Sequence, residues 1–256
     1  MAAYSECHDQ QTALNGWATL MLTIVLLPGM DGTGKLFSEF VAALPESLGT
    51  VTVRYPANER LSYGELEDVV RTALPTSEPF LLLAESFSTP LAIRCAATHP
   101  PNLAGIVVCA GFASSPVVGL RRFVGRLLAP HLFHLPLPSF AAKRWLIGPD
   151  APSSLLSAVR DAISSVQPGV LAARLRAVLK CDVRTDLSQI DVPILYLQAK
   201  GDRLVGASCL EEVRRFRPQV KVVSIEWPHL LLQRQPHRSA EAVVKFAHEC
   251  CPDWIA

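Results

Sequence analysis

The stretch Phe80-Leu-Leu-Leu-Ala-Glu-Ser-Phe-Ser-Thr-Pro90 decides how this chain is read. Phe80–Glu85 is a run of strand length, apolar as far as Ala84, as expected of a strand covered on both faces. Pro90 suits the first turn of a helix, where its missing N–H leaves no bond unmade. Between them, Ala84-Glu85-Ser86-Phe87-Ser88 must turn sharply. A serine at such a strand-to-helix turn takes strained dihedrals, and its neighbours two places away must be small for the backbone to approach. The usual form is G-x-S-x-G; here Ala84 and Ser88 stand where the glycines would. Taken by itself, Ser86 could equally be a helix cap.

Outward from this elbow the same signature recurs. Leu22–Leu27, Thr50–Arg54, Gly105–Ala110, Pro193–Gln198 and Val220–Ile225 are short runs rich in Val, Ile and Leu. Helix-like stretches separate them at Gly34–Leu44, Tyr63–Leu74, Pro90–His99 and Ala207–Arg217, and Ser239–Cys250 closes the chain. Strand and helix in alternation predict an α/β fold with a mostly parallel central sheet flanked by helices. One stretch breaks the pattern. From Ala113 to Leu187 no strand is convincing, prolines at 116, 130, 136, 138, 149, 152 and 168 punctuate short helices, and Leu127, Leu128, Leu132, Phe133, Leu135, Leu137 and Phe140 make it apolar. The expected organisation is a core of residues 1–112 and 188–256, with a helical lid, 113–187, inserted above the sheet edge.

Ser86 as a nucleophile needs a base, and the base needs a fixed tautomer. Asp202 follows the penultimate strand in Gln198-Ala-Lys-Gly-Asp-Arg-Leu-Val205, and His229 follows the last in Glu226-Trp-Pro-His-Leu230. Each of the three lies at the C-terminal end of its own strand, so they can converge on one sheet edge, in the chain order Ser, Asp, His. A histidine followed by leucines is by itself most simply structural. After the first strand, Leu26-Leu-Pro-Gly-Met-Asp-Gly-Thr-Gly34 is a glycine-bearing turn that can aim N–H groups at a developing oxyanion. The backbone N–H groups of Met30 and Phe87 would form that pair. The same residues, Gly29 to Lys35, also fit G-x-x-x-x-G-K, the start of a phosphate-binding loop. Leu36 breaks that motif where a metal-ligating hydroxyl is needed.

These residues carry a resemblance. From Leu22 to the C-terminus the chain resembles the α/β-hydrolase superfamily, and its Pro28–Gly34 loop looks like that of bacterial hydrolases and of plastid acyltransferases related to them. The resemblance implies an α/β-hydrolase fold with Ser86 as nucleophile, His229 as base, Asp202 as acid and a lid over 113–187. Two departures stand out: Pro28-Gly29 where many relatives have His-Gly, and a short N-terminal stretch before Leu22, so that the family's first antiparallel strands are expected to be abbreviated or missing.

Composition narrows the partners. The 256 residues carry 24 Lys+Arg against 23 Asp+Glu, and half are apolar, which excludes intrinsic disorder and argues against nucleic acid. Seven cysteines without a CxxC pair suggest neither a disulfide framework nor a zinc site, so a reducing cytoplasm is expected. The apolar run Trp17–Leu27 is too short for a stable membrane span.

Other polar residues have plainer readings. Asp31 fits a hydrogen bond within its own turn, and His131 with His134 lack the further ligands of a metal set. Glu85 should point away from Ser86, Glu226 lies too near His229, and Asp191 precedes its strand. Cys109 reads as a small buried hydrophobe, and Arg121, Arg122 and Arg126 as a solvated face of the lid. The function expected is a serine hydrolase acting on a small-molecule carboxylic ester of fairly apolar character, through an acyl-enzyme, without cofactor or metal. Acyl transfer or thioester cleavage would use the same residues. A non-catalytic binding module would keep its ligand when Ser86 is removed, and a nucleotide-binding protein would depend on Lys35.

Overall fold

The computed structural model describes residues 22–117, 119, 133–135 and 137–254. Six strands form one wholly parallel sheet: β1 Leu22–Leu27, β2 Leu48–Thr52, β3 Phe80–Glu85, β4 Leu103–Cys109, β5 Ile194–Ala199 and β6 Lys221–Ile225, in the order β2-β1-β3-β4-β5-β6. The chain runs from β1 outward to β2 at one edge, then returns beside β1 with β3 and proceeds to the other edge. The order therefore reverses between β1 and β3. Ligands of open α/β sheets bind beyond the strand C-termini at such a reversal, and here it brings the Pro28–Gly34 loop next to the Ser86 elbow.

Strand side chains alternate between two apolar layers. Val25, Leu27, Leu82 and Ala84 face one, with Leu66, Leu91, Leu210 and Val213. Ile24, Leu26, Leu81 and Leu83 face the other, with Phe40, Val243 and Phe246. The first layer is covered by α2 (Tyr63–Thr72), α3 (Thr89–Ala96) and α8 (Ala207–Phe216), the second by α1 (Ser38–Ala42), α9 (Leu231–Arg234) and α10 (Pro236–Cys250). Burial on both faces explains the continuous apolar runs of β1 and β3. The edge strands differ from that expectation: most of β2 and β6 is partly or fully exposed, because each has a neighbour on only one side.

Local signals set the helix boundaries. Ser62 caps α2 in a reciprocal box with Glu65: its Oγ accepts from the Glu65 N–H, and the Ser62 N–H donates to Oε2 at 2.7 Å. Glu67 ties α2 to α3 through Arg94 and to its own helix through Arg71, both at 2.6 Å.

Between β4 and β5 the described residues hold α4 (Ser139–Ala142), a π turn (Lys143–Ile147), α5 (Ser153–Ser164), α6 (Pro168–Lys180) and α7 (Arg184–Gln189). A short antiparallel bridge joins Ser114 to Asp182, and the Val183 N–H donates to Ala113 O at 2.8 Å, so the two ends of the segment are fastened together. Leu187 of α7 belongs to the core layer beneath α3. His131, Arg121, Arg122 and Arg126 lie outside the described residues, as does the start of the Trp17–Leu27 run. Among the described residues no helix is long and apolar enough to cross a membrane.

Candidate active site

Ser86 follows β3 with φ of 48°, in the left-handed region that a side chain occupies at a cost of about 1–3 kcal/mol. The structure brings it to His229 and Asp202. Ser86 Oγ lies 2.8 Å from His229 Nε2, and His229 Nδ1 lies 2.6 Å from Asp202 Oδ2. The other carboxylate oxygen, Oδ1, accepts the N–H groups of Leu204 at 2.8 Å and Val205 at 3.0 Å, which fixes the plane of the group. A carboxylate only accepts, so Nδ1 carries the ring proton and Nε2 is left to accept from the serine hydroxyl. The loops after β5 and β6 are laced by main-chain bonds, Gly201 N–H to Trp227 O and Lys200 N–H to Ile225 O, both 3.0 Å.

His229 is buried, which disfavours the imidazolium, but the hydrogen bond and charge of Asp202, with the charge of Glu85, outweigh that and raise its pKa above the ordinary value. Glu85 departs from expectation. It lines the same cavity as Ser86, on the sheet face of Leu81 and Leu83 where Gln233 meets it. Only 1% exposed, its carboxyl is pushed up to about 7 by burial; His229 lowers it and Asp31 raises it. Gln233 Nε2 donates to Oε2 at 3.4 Å, while Oε1 is buried without a hydrogen-bond partner among the described residues.

Two small-residue substitutions at the elbow now have a geometry. Ala84 is fully buried in the sheet. Ser88 does more than stay small: its hydroxyl donates to Pro28 O and lies 2.7 Å from Tyr55 Oη, joining the elbow to the loop after β1. On the other flank Tyr63 Oη donates to Phe87 O at 2.9 Å, with its ring stacked on the Phe87 ring. Met30 and Phe87 line the cavity with Ser86.

That cavity, about 210 Å³, has Asp31, Glu85, Ser86 and His229 at one end and walls of Leu36, Phe112, Val159, Ile163, Leu171, Leu175 and Val178. The residues between β4 and β5 supply most of this apolar wall. The other residues take the plainer roles expected of them. Asp31 accepts from Thr33 N–H at 2.9 Å and from its hydroxyl, closing the turn, although it also lines the cavity. Lys35 is exposed at the start of a 3-10 turn. Glu226 pairs with Lys200 at 2.8 Å and Asp191 with His99 at 3.1 Å. Burial pushes the Cys109 thiol well up, away from thiolate chemistry. Among the described residues no group of three potential ligands could hold a metal ion.

Residues 24–242 match the alpha/beta hydrolase family. This chain belongs to that family. Solved structures with the same fold include the enol-lactonase from Burkholderia xenovorans LB400, with 18% identity over 89% of this chain and 91% of that one at a TM-score of 0.74. Bromoperoxidase from Bacillus anthracis shares 17% identity over 89% and 92%, at 0.76. A thermophilic esterase from Thermogutta terrifontis shares 18% over 90% and 90%, at 0.75. No curated protein matches the sequence. Sequence reasoning about this hydrolase missed Tyr55, Gln233 and Arg174. For Arg174 a signal existed: it falls in helical register with Val170, Leu171 and Val178, on the buried face of α6.

Proposed function

We propose that this chain is a serine hydrolase that cleaves a carboxylic ester with an apolar acyl or alcohol part. The observation that carries the reading is the continuous Ser86–His229–Asp202 hydrogen-bonded series opening into an apolar cavity. Ser86 Oγ attacks the ester carbonyl as His229 Nε2 takes its proton, and Asp202 holds the imidazolium that results. The Met30 and Phe87 N–H groups receive the oxyanion; each such donor is worth roughly 3–4 kcal/mol in the transition state. His229 returns its proton to the departing alcohol, then activates water to release the acid from Ser86. The segment 113–187 acts as the lid, with α7 as its anchor in the core. The cysteines at 95, 109, 209, 250 and 251 stand in no disulfide, which supports a reducing compartment, the cytoplasm.

The test is turnover of p-nitrophenyl acetate and butyrate by the wild type, Ser86→Ala and His229→Gln. Both variants should fold, and Ser86→Ala should lose at least about 10³-fold in kcat. Equal turnover by Ser86→Ala would overturn the reading.

A further inference from the structure

The Arg174 side chain is 2% exposed, yet its hydrogen bonds go to main-chain carbonyls rather than to a carboxylate. Nη1 donates to Met30 O at 2.9 Å and to Asp31 O at 2.8 Å, and Nη2 donates to Pro56 O at 3.0 Å. The guanidinium also stands over the Tyr55 ring, 5.7 Å from its centre. A buried cation is costly to desolvate, and a planar fork with several donors suits a set of carbonyls in a way an ammonium does not. The loop has been shaped for this contact. Gly32 has φ of +69°, and a Cβ there would lie 2.6 Å from Nη1.

The contact joins two parts of the molecule. Arg174 belongs to α6 of the inserted segment, and the loop it holds begins directly after β1. The same loop is held at Pro28 O by Ser88, whose hydroxyl also meets Tyr55. Met30 thus sits between two clamps, one from the elbow and one from the insertion. The base of α6 is tied down as well, by Gln167 N–H to Ala57 O at 2.9 Å.

We propose that Arg174 is a positioning residue for the oxyanion loop: it sets the aim of the Met30 N–H through the carbonyls of Met30 and Asp31, so that α6 is a fixed part of the catalytic framework rather than a moving part of the lid. This rests on the reading of Ser86 as nucleophile and Met30 as oxyanion donor.

The experiment compares wild type, Arg174→Lys and Arg174→Met with p-nitrophenyl butyrate. Active sites are titrated with a fluorophosphonate, so that kcat is expressed per reactive Ser86. A role confined to folding lowers the titrated fraction and leaves kcat per site unchanged. A positioning role lowers kcat per site, on the order of 100-fold in Arg174→Met, with KM within threefold, since the donor acts on the transition state. Arg174→Lys keeps the charge but not the fork, and should recover part of the loss. Wild-type kcat per site in either folded variant would overturn the proposal, as would a rise in KM with kcat intact. If Arg174→Met does not fold, Arg174→Lys decides by the same comparison. Should the wild type itself neither turn over the ester nor label at Ser86, the hydrolase reading has failed, an outcome distinct from any seen in the Arg174 series.

Discussion

Glu85 is the residue whose chemistry departs furthest from its sequence context. Its carboxyl is buried beside His229 and Asp31 and holds its proton up to about pH 7. In the unfolded chain the same group ionises in the ordinary carboxylate range, so the folded state binds the extra proton between those values. The sign follows: this group costs nothing when both states are protonated, and its penalty grows as pH rises to about 7. Glu85→Gln removes the penalty. Its stability advantage over wild type should grow by about 2 kcal/mol between pH 5.5 and 8 in urea unfolding; a constant difference would contradict this. The same substitution removes a charge that raises His229. Because Nε2 must be neutral to accept the serine proton, wild-type kcat/KM should rise with pH through a midpoint above the ordinary histidine value. In Glu85→Gln that midpoint should move to lower pH.

At the scale of elements, the loop after β1 is the sensitive one. Gly32→Ala would force a side chain into the left-handed region and against Arg174. It should destabilise the fold by about 1–3 kcal/mol and lower turnover as well. Ser62→Ala, which removes one half of the α2 capping box, should cost about 1 kcal/mol in thermal unfolding and leave turnover unchanged. The strands were legible in the sequence because β1 and β3 are buried on both faces and so read as unbroken apolar runs, matching Leu22–Leu27 and Phe80–Glu85 residue for residue. Ser86, Asp202 and His229 were legible because each follows its own strand. Tertiary partners were not. Nothing local marks Ser88 as a link to Pro28 and Tyr55, or Glu85 as a neighbour of Gln233 in the cavity, because their partners lie far apart in the chain.

Over the whole molecule, the segment between β4 and β5 is closed on itself by the bridge of Ser114 to Asp182. It is fastened to the rest of the chain around the cavity: Leu146 O accepts the Leu230 N–H at 2.9 Å next to His229, and Asp150 pairs with Arg234 at 2.9 Å. The core supplies the polar end of the cavity and the insertion supplies most of the apolar wall. Selectivity should therefore respond to the insertion without loss of the chemistry. Leu175→Asn should raise KM for p-nitrophenyl hexanoate by roughly tenfold, the worth of about one buried apolar side chain, and change KM for the acetate much less. Whether Ser86 is an activated nucleophile is read by fluorophosphonate labelling with mass mapping of the modified peptide. A single adduct on Ser86 is expected in the wild type and none in Ser86→Ala. Equal labelling of Ser86→Ala, or no labelling of folded wild type, would contradict that role.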